Sequence, residues 1–542
     1  MSINVLNISS ILVLTLLLMA GSASASWAAK YYVATTGNDN NAGTLSSPFH
    51  TVQRGISSVK AGDTLLIRAG TYHEALTLEN SGAKSKPITV RNYAGETATI
   101  DSGELRAIVL SRTIGYYTFE GLTFVSQCPE RPYSGDKNYS LDFGISTSWW
   151  GWGAPVDDAT TNSGGNNGFT LKKCNITGSV GFMGSYNTVT NCVLDGGSQI
   201  KGRPGFTDGI HDVTIVSHHN TYTNNIIHDY VNRGIWTMSN TSYITIRGNT
   251  IYNFAKQNKP DGLGIDLDGA YISNHHCLVE FNTVYNGFCG IEFENGNNNI
   301  ANGNTIHECE RSICLISYGP PTACREYRTS DTNAIIMNNL VYNSTTVGIV
   351  VVNSPGNRIY NNTVDHTRGW AGIFLADGGK DSFQSNNCTI RNNIVSNSAS
   401  GAYALQLQGS ITGTTLKNNL YFNSGISSST HNWDRHGVRA SAGWDGQGAH
   451  TLTMIQSVSG GMESGSIYAN PEYVSGGYSL RSTSPAINAG AAISVVTADI
   501  LGTPRPQGGA NDIGAYEYVA APASSKGHLP IHPGKALLNS SK

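Results

Sequence analysis

NTVYNGFCGIEFENGNNNIANGNTI, residues 282–306, contains one repeat of the pattern that decides the fold. It begins and ends on the same signature, an Asn, one residue, then Val or Ile, at Asn282 and again at Asn304. Outward in both directions the signature recurs at Asn191, Asn225, Asn249, Asn339, Asn362, Asn393 and Asn419, the last reading Asn-Leu-Tyr. The successive spacings are 34, 24, 33, 22, 35, 23, 31 and 26 residues. The short spacings define a coil, and the long ones are the same coil carrying about ten inserted residues. Each coil has too few apolar residues to bury a core alone, so it must stack on its neighbours. Stacking places equivalent residues ~4.8 Å apart, the strand spacing of a sheet. Asn suits the sharp corners because it tolerates left-handed backbone and hydrogen-bonds locally. Stacked Asn side chains also form amide ladders. The repeat therefore predicts an all-β solenoid.

Composition agrees. A chain of 542 residues would otherwise suggest several domains, and the repeat replaces them with one solenoid. Only 13% of residues are charged, which excludes a coiled coil or a charged disordered chain. A formal net charge of -3 leaves no electrostatic footprint for nucleic acid. The 62 glycines and the many asparagines are turn chemistry.

The apolar run Ile11–Ala20, followed by Ala23-Ser24-Ala25, predicts a secretory signal over residues 1–25, although Met1–Asn7 lacks a basic residue. That run is shorter than the ~20 residues a membrane-spanning helix needs. The expected product is exported, extracellular or periplasmic, monomeric and without a membrane span. Nine cysteines, an odd number with no C-x-x-C pair, argue against a structural zinc site. Cys314 and Cys324 flank a Gly-Pro-Pro loop, so a disulfide there and buried free thiols are the two readings.

This pattern resembles the right-handed parallel β-helix of carbohydrate-active enzymes. YYVATTGNDNNAGTLSSPFHTVQRGISSVKAGDTLLIRAGTYHE (31–74) is similar to the opening coil of many β-helix lyases and hydrolases, family 9 lyases included. It implies a first strand, a capping helix around Val52–Val59 and a turn ending at Glu74. SPAINAGA (484–491) and GANDIGAYEY (509–518) resemble the closing segment of bacterial β-helix proteins. The implied organisation is a single-stranded right-handed parallel β-helix over 26–480, with loop insertions on one face. A closing segment at 481–518 and a tail at 519–542 follow.

Insertions on a solenoid fall on one face, often the binding face. The strands after each Asn signature align as Gly234-Ile-Trp236-Thr-Met238, Gly264-Ile-Asp266-Leu-Asp268, Gly290-Ile-Glu292-Phe-Glu294, Ser312-Ile-Cys314-Leu-Ile316, Gly348-Ile-Val350-Val-Val352 and Gly372-Ile-Phe374-Leu-Ala376. The Ile and the residue two beyond it point inward, and the alternate positions point outward. Asp266, Asp268, Glu292 and Glu294 thus share one outward face on adjacent coils, with a diagonal of about 8 Å at the backbone. Four acids this close repel one another unless protonated, metal-bound or hydrogen-bonded. Two chemistries fit, a carboxylate pair for glycoside hydrolysis and a calcium site; a solvated acidic face is the third reading.

GIDLDGAYISNHHCLVEFNTVYNGFCGIEFENG (264–296) is similar to the active-site stretch of the β-helix β-xylosidases of glycoside hydrolase family 120. The resemblance implies Asp268 as nucleophile, or as base in an inverting variant, and Glu292 as general acid/base. Asp266 and Glu294 are extra acids relative to that family. Expected substrate contacts are Trp236 and Trp150 as sugar platforms, Lys259 and Asp261 on an inserted loop, and Arg311 and Tyr318 flanking the face above Glu292. No cofactor is required. Calcium, if bound, falls on Asp266, Asp268, Glu292 and Glu294, and the expected partner is a polysaccharide or oligosaccharide. The rivals are a calcium-dependent polysaccharide lyase acting on a uronate glycan, with Lys256, Lys259, Arg233 or Arg311 as base, and a noncatalytic glycan-binding β-helix. His211, His218, His219, His275 and His276 read as exposed turn residues.

Overall fold

The computed structural model describes residues 28–126, 145–146, 167–237, 241–254, 262–317, 332–376, 384–423, 431–433, 448–458 and 461–520. Excepted within those spans are 104–106, 111–113, 183, 198–207, 213–216, 270–272, 400–401, 409–411 and 451. The expected signal segment, Trp150, Met238, Lys256, Lys259, Asp261, Tyr318 and Cys324 lie outside the described residues, as does the tail beyond residue 520. Among the described residues two helices, Val52–Ser58 and Leu452–Val458, accompany a long succession of strands. All strand pairs with a stated register are parallel except His431–Trp433 with Gly448–His450. The fold is the expected parallel β-helix. Its chain divides into two compact units, Met1–Gln257 and Asn258–Lys542.

The first unit opens with strand Lys30–Val33 paired to Thr64–Ile67, and helix Val52–Ser58 lies between them in sequence. Val52 and Ile56 of that helix are fully buried. Acids of the opening coil supply its caps. Glu74 accepts hydrogen bonds from the backbone N of Val52 and Gln53 at 2.7 and 2.9 Å, and Thr51 Oγ1 accepts from Arg54 N. Asp39 accepts from the backbone N of His50 and Thr51 and from the Thr51 hydroxyl. The first-turn N–H groups, which no helix satisfies internally, are thereby paired.

Coils of the second unit repeat a short strand, a corner, a second short strand and a longer strand. Ile335–Met337, Leu340–Tyr342 and Val347–Val352 make one coil; Arg358–Tyr360, Thr363–Asp365 and Ala371–Ala376 make the next. Ile336, Ile359, Ile390 and Leu416 stack in register inside, each with no exposure. The closing segment packs Leu480, Ala486 and Ile513 on Ile394 and Leu420.

The corners carry two Asn rows rather than one. Asn338, Asn361, Asn392 and Asn418 have left-handed backbone, with φ of 55°, 51°, 57° and 53°. The residue after each forms the buried ladder. Oδ1 of Asn339 accepts from both N and Nδ2 of Asn304, at 2.9 Å each, and Asn339 repeats both donations to Asn362. Asn362 does the same to Asn393, and Asn393 to Asn419. Asn191 does not belong to the ladder. It occupies the left-handed row (φ 54°), and Cys192 fills the ladder position, its backbone N donating to Asn225 Oδ1.

Candidate functional site

Register places the acids. Strands Leu263–Asp268 and Thr283–Glu294 pair so that Asp266 lies beside Glu292 and Asp268 beside Glu294, while Ile265 pairs with Ile291 and Leu267 with Phe293. The four isoleucine, leucine and phenylalanine side chains have no exposure and form the interior. The acids alternate with them, so they share the outer face. They are nonetheless withdrawn from solvent: Asp266 is 1% exposed, Glu292 6% and Asp268 8%, and Glu294 is half-buried. Asn295 Nδ2 donates to Glu294 Oε1 at 3.2 Å.

The next coil changes chemistry. Glu292 is followed by Cys314, then Val350, Phe374 and Gln406; Glu294 is followed by Ile316, Val352, Ala376 and Gln408. The acid patch therefore borders an apolar cluster comprising Leu263, Cys289, Cys314, Ile316, Val347, Val350, Ala371, Phe374 and Ala376.

Cys289 breaks the alternation. Counting back from inward Ile291 makes residue 289 inward too, yet Cys289 packs with the outer-face cluster and its Sγ lies 2.8 Å from Cys314 Sγ. The cause is Gly290. A Cβ there would sit 2.5 Å from Ile306 Cγ2 and 2.7 Å from the Ser312 carbonyl oxygen. Two successive residues, 290 and 291, thus point inward, and in this coil the space at the first of them leaves no room for a side chain. In the following coil Ser312 takes that position, and its hydroxyl hydrogen-bonds Ser344 at 2.7 Å in the interior.

Cys314 is a free buried thiol, as are Cys174, Cys192, Cys277, Cys289, Cys309 and Cys388. Cys324, the other end of the expected loop disulfide, lies outside the described residues; the described cysteines are all buried thiols. Burial pushes the Cys289 thiol well above its ordinary value, with the Cys314 thiol and the Glu292 charge adding to the shift. Burial pushes Cys309 up to about 12.

Arg311 is half-buried beside Cys289, its guanidinium 5.2 Å from the Phe288 ring centroid. It is the only Lys or Arg between Gly262 and Ser317. Trp236 belongs to the first unit, on strand Arg233–Thr237, with the Arg233 guanidinium 4.2 Å from its ring centroid. His219 and His276 occupy left-handed corners as expected, each next to its partner His218 or His275. His211 does not. It lies within strand Asp208–Asp212, in register with Trp236. The signal was present: Gly209-Ile-His211 repeats the Gly-Ile-x pattern of the acid strands one coil before the alignment began. Cys289 had no such signal, because strict alternation places it inside.

Comparison with known proteins locates this architecture. Residues 31–311 match the family model described as Pel9A-like, right handed beta helix region, and residues 323–439 match a right handed beta helix region. Uncharacterized protein YwoF of Bacillus subtilis is 48% identical over 73 residues, 14% of this chain and 15% of that protein. Pectate lyase PEL9 of Emericella nidulans is 38% identical over 80 residues, 14% of this chain and 20% of that protein. Both matches span well under two thirds of the relatives' length. Among solved structures, XylC in complex with xylose covers 90% of this chain and 98% of its own, with 11% identity and a TM-score of 0.52. That likeness is one of fold.

Proposed function

The chain belongs to the Pel9A-like right-handed β-helix family, and from that premise we propose that it is a secreted glycoside hydrolase cleaving a poly- or oligosaccharide. The observation that carries the reading is the in-register pairing of two acidic strands, with four carboxyl groups on one face and no Lys or Arg within either strand. Glu292 protonates the leaving oxygen, and Asp268 attacks C1 or activates water, as the similarity of 264–296 to family 120 β-xylosidases implies. Neighbouring strands set carboxylates ~5 Å apart, the retaining separation, whereas diagonal placement suits the ~6.5–9.5 Å of inverting enzymes. Asp266 and Glu294 stand beside these two groups, where a second full charge is costly and proton sharing is favoured. No metal is needed for this chemistry.

A panel of nitrophenyl glycosides, xylosides included, and neutral polysaccharides tests the reading with wild type, Asp268→Ala and Glu292→Gln. Turnover unchanged in both variants sinks it.

The 38% identity to a pectate lyase over 80 residues favours a second reading, a calcium-dependent lyase. The four acids then hold Ca2+ against a uronate carboxylate, and Arg311 serves as the base. Chelator-sensitive release of products absorbing in the ultraviolet from a uronate polymer distinguishes it from hydrolysis.

A further inference from the structure

We propose that Cys289, Glu292 and Cys314 form a site for a thiophilic divalent cation of the zinc class, and that its occupancy withdraws Glu292 from proton transfer. One sulfur of each cysteine and a carboxylate oxygen of Glu292 all lie within 4.8 Å of one another. All three residues are buried, the two thiols completely. Their sulfurs are 2.8 Å apart, and binding would open them by about 1 Å to span a tetrahedral ion at Zn–S bonds of about 2.3 Å.

The backbone fixes this convergence. Glu292 and Cys314 are register partners on paired strands, and the inward turn at Gly290 brings Cys289 out to the same face. Three protein ligands with a fourth position left over is the donor number of an open zinc site. Two sulfurs select a borderline or soft ion, whereas calcium takes oxygen donors. The site thus differs in ligand chemistry from any calcium site made of the four carboxylates, although Glu292 belongs to both. Binding requires both thiols to lose their protons to solvent, so affinity rises with pH. Arg311, beside Cys289, and Asp266, beside Glu292, are the charged register neighbours, and Asp268 and Glu294 share the same face two residues along. Glu292, once a ligand, no longer donates a proton to a leaving group.

The inhibition rests on the hydrolase reading, but the binding does not, and the test separates them. Reduced full-length protein is titrated with Co2+ alone, and with Cd2+ alone, following thiolate-to-metal charge-transfer absorption. One equivalent is expected to saturate the signal. Loss of an outer partner already costs about 10–100-fold in metal affinity, so Cys289→Ser and Cys314→Ser are each expected to weaken binding at least about 100-fold. Absence of the absorption in reduced wild type overturns the site, as does its persistence in both serine variants. So does a non-reducing peptide map of the reduced, metal-loaded protein that links Cys289 to Cys314. In the activity arm, stoichiometric Zn2+ is expected to abolish at least nine-tenths of turnover in wild type while sparing the serine variants. Binding without inhibition keeps the metal site and overturns the withdrawal of Glu292.

Discussion

Two rows of buried polar side chains run through the second unit, and they balance their burial in opposite ways. In the corner ladder each Asn both donates and accepts, so Asn304, Asn339, Asn362, Asn393 and Asn419 satisfy one another from coil to coil. In the acid patch Asp266, Glu292, Asp268 and Glu294 are equally close in register, but ionised carboxylates only accept. Like groups therefore stabilise the stack at the corner and strain it on the outer face. The ladder is built for stability. The patch gathers carboxyl groups in a largely buried place, which is the physical reason to look for chemistry there.

The sharpest way to break this contrast is to neutralise the patch. Glu292→Gln keeps shape and removes one charge, so hydrolysis is expected to fall by about 10²–10⁴-fold, the usual contribution of a general acid. The acid limb of the pH–rate profile should shift or vanish with it. Thermal unfolding of the same variant should be unchanged or move upward, since repulsion is relieved. A variant that loses activity and melts markedly lower would place Glu292 in the scaffold instead.

Ladder substitutions should do the reverse. Asn339→Ala removes the oxygen that receives Asn304 N and Nδ2, and the amide that donates to the Ala301 carbonyl and to Asn362. Leaving buried groups unpaired costs about 1–3 kcal/mol each, and with partial relaxation a loss of about 2–4 kcal/mol is expected from urea unfolding. Turnover per folded molecule at low temperature should stay near wild type. A large drop in activity at full folding would show that the ladder positions the site.

Gly290→Ala tests the link between the two rows. The new methyl meets Ile306 and the Ser312 carbonyl oxygen, so overpacking is expected to cost about 1–3 kcal/mol. Because the same strand carries Glu292 two residues later, turnover should fall along with stability. Activity retained at reduced stability would mean that the acid keeps its place without the inward turn.

How much of this was legible follows from the same geometry. The corner Asn and the Gly-Ile strands repeat at fixed offsets, so spacing alone set Asp266 beside Glu292 and Asp268 beside Glu294. What slipped was the row assignment at Asn191. Asn224-Asn225, Asn338-Asn339 and Asn361-Asn362 put Asn in both rows, and only coils such as Gly248-Asn249, Phe281-Asn282 and Gly303-Asn304 tell them apart. Cys289 escaped for a different reason: an inward glycine shifts the alternation, and no period-two reading detects that.

The smallest effect probes the slip itself. Cys192 occupies the ladder position of its coil, 1% exposed, and receives the Cys174 backbone N on sulfur at 3.4 Å. Its own backbone N already donates to Asn225 Oδ1, so the coil below offers an acceptor in the ladder geometry. Cys192→Asn would replace a weak sulfur acceptor with an amide oxygen and add Nδ2 donors, extending the ladder by one rung. A net gain of about 0.5–1.5 kcal/mol is expected in urea unfolding, the usual worth of a buried hydrogen bond. Asn is larger than Cys, however, and the coil is close-packed. A loss of stability would mean that packing around Cys174 and Cys192 sets that position, and that the ladder begins at Asn225 for steric rather than hydrogen-bonding reasons.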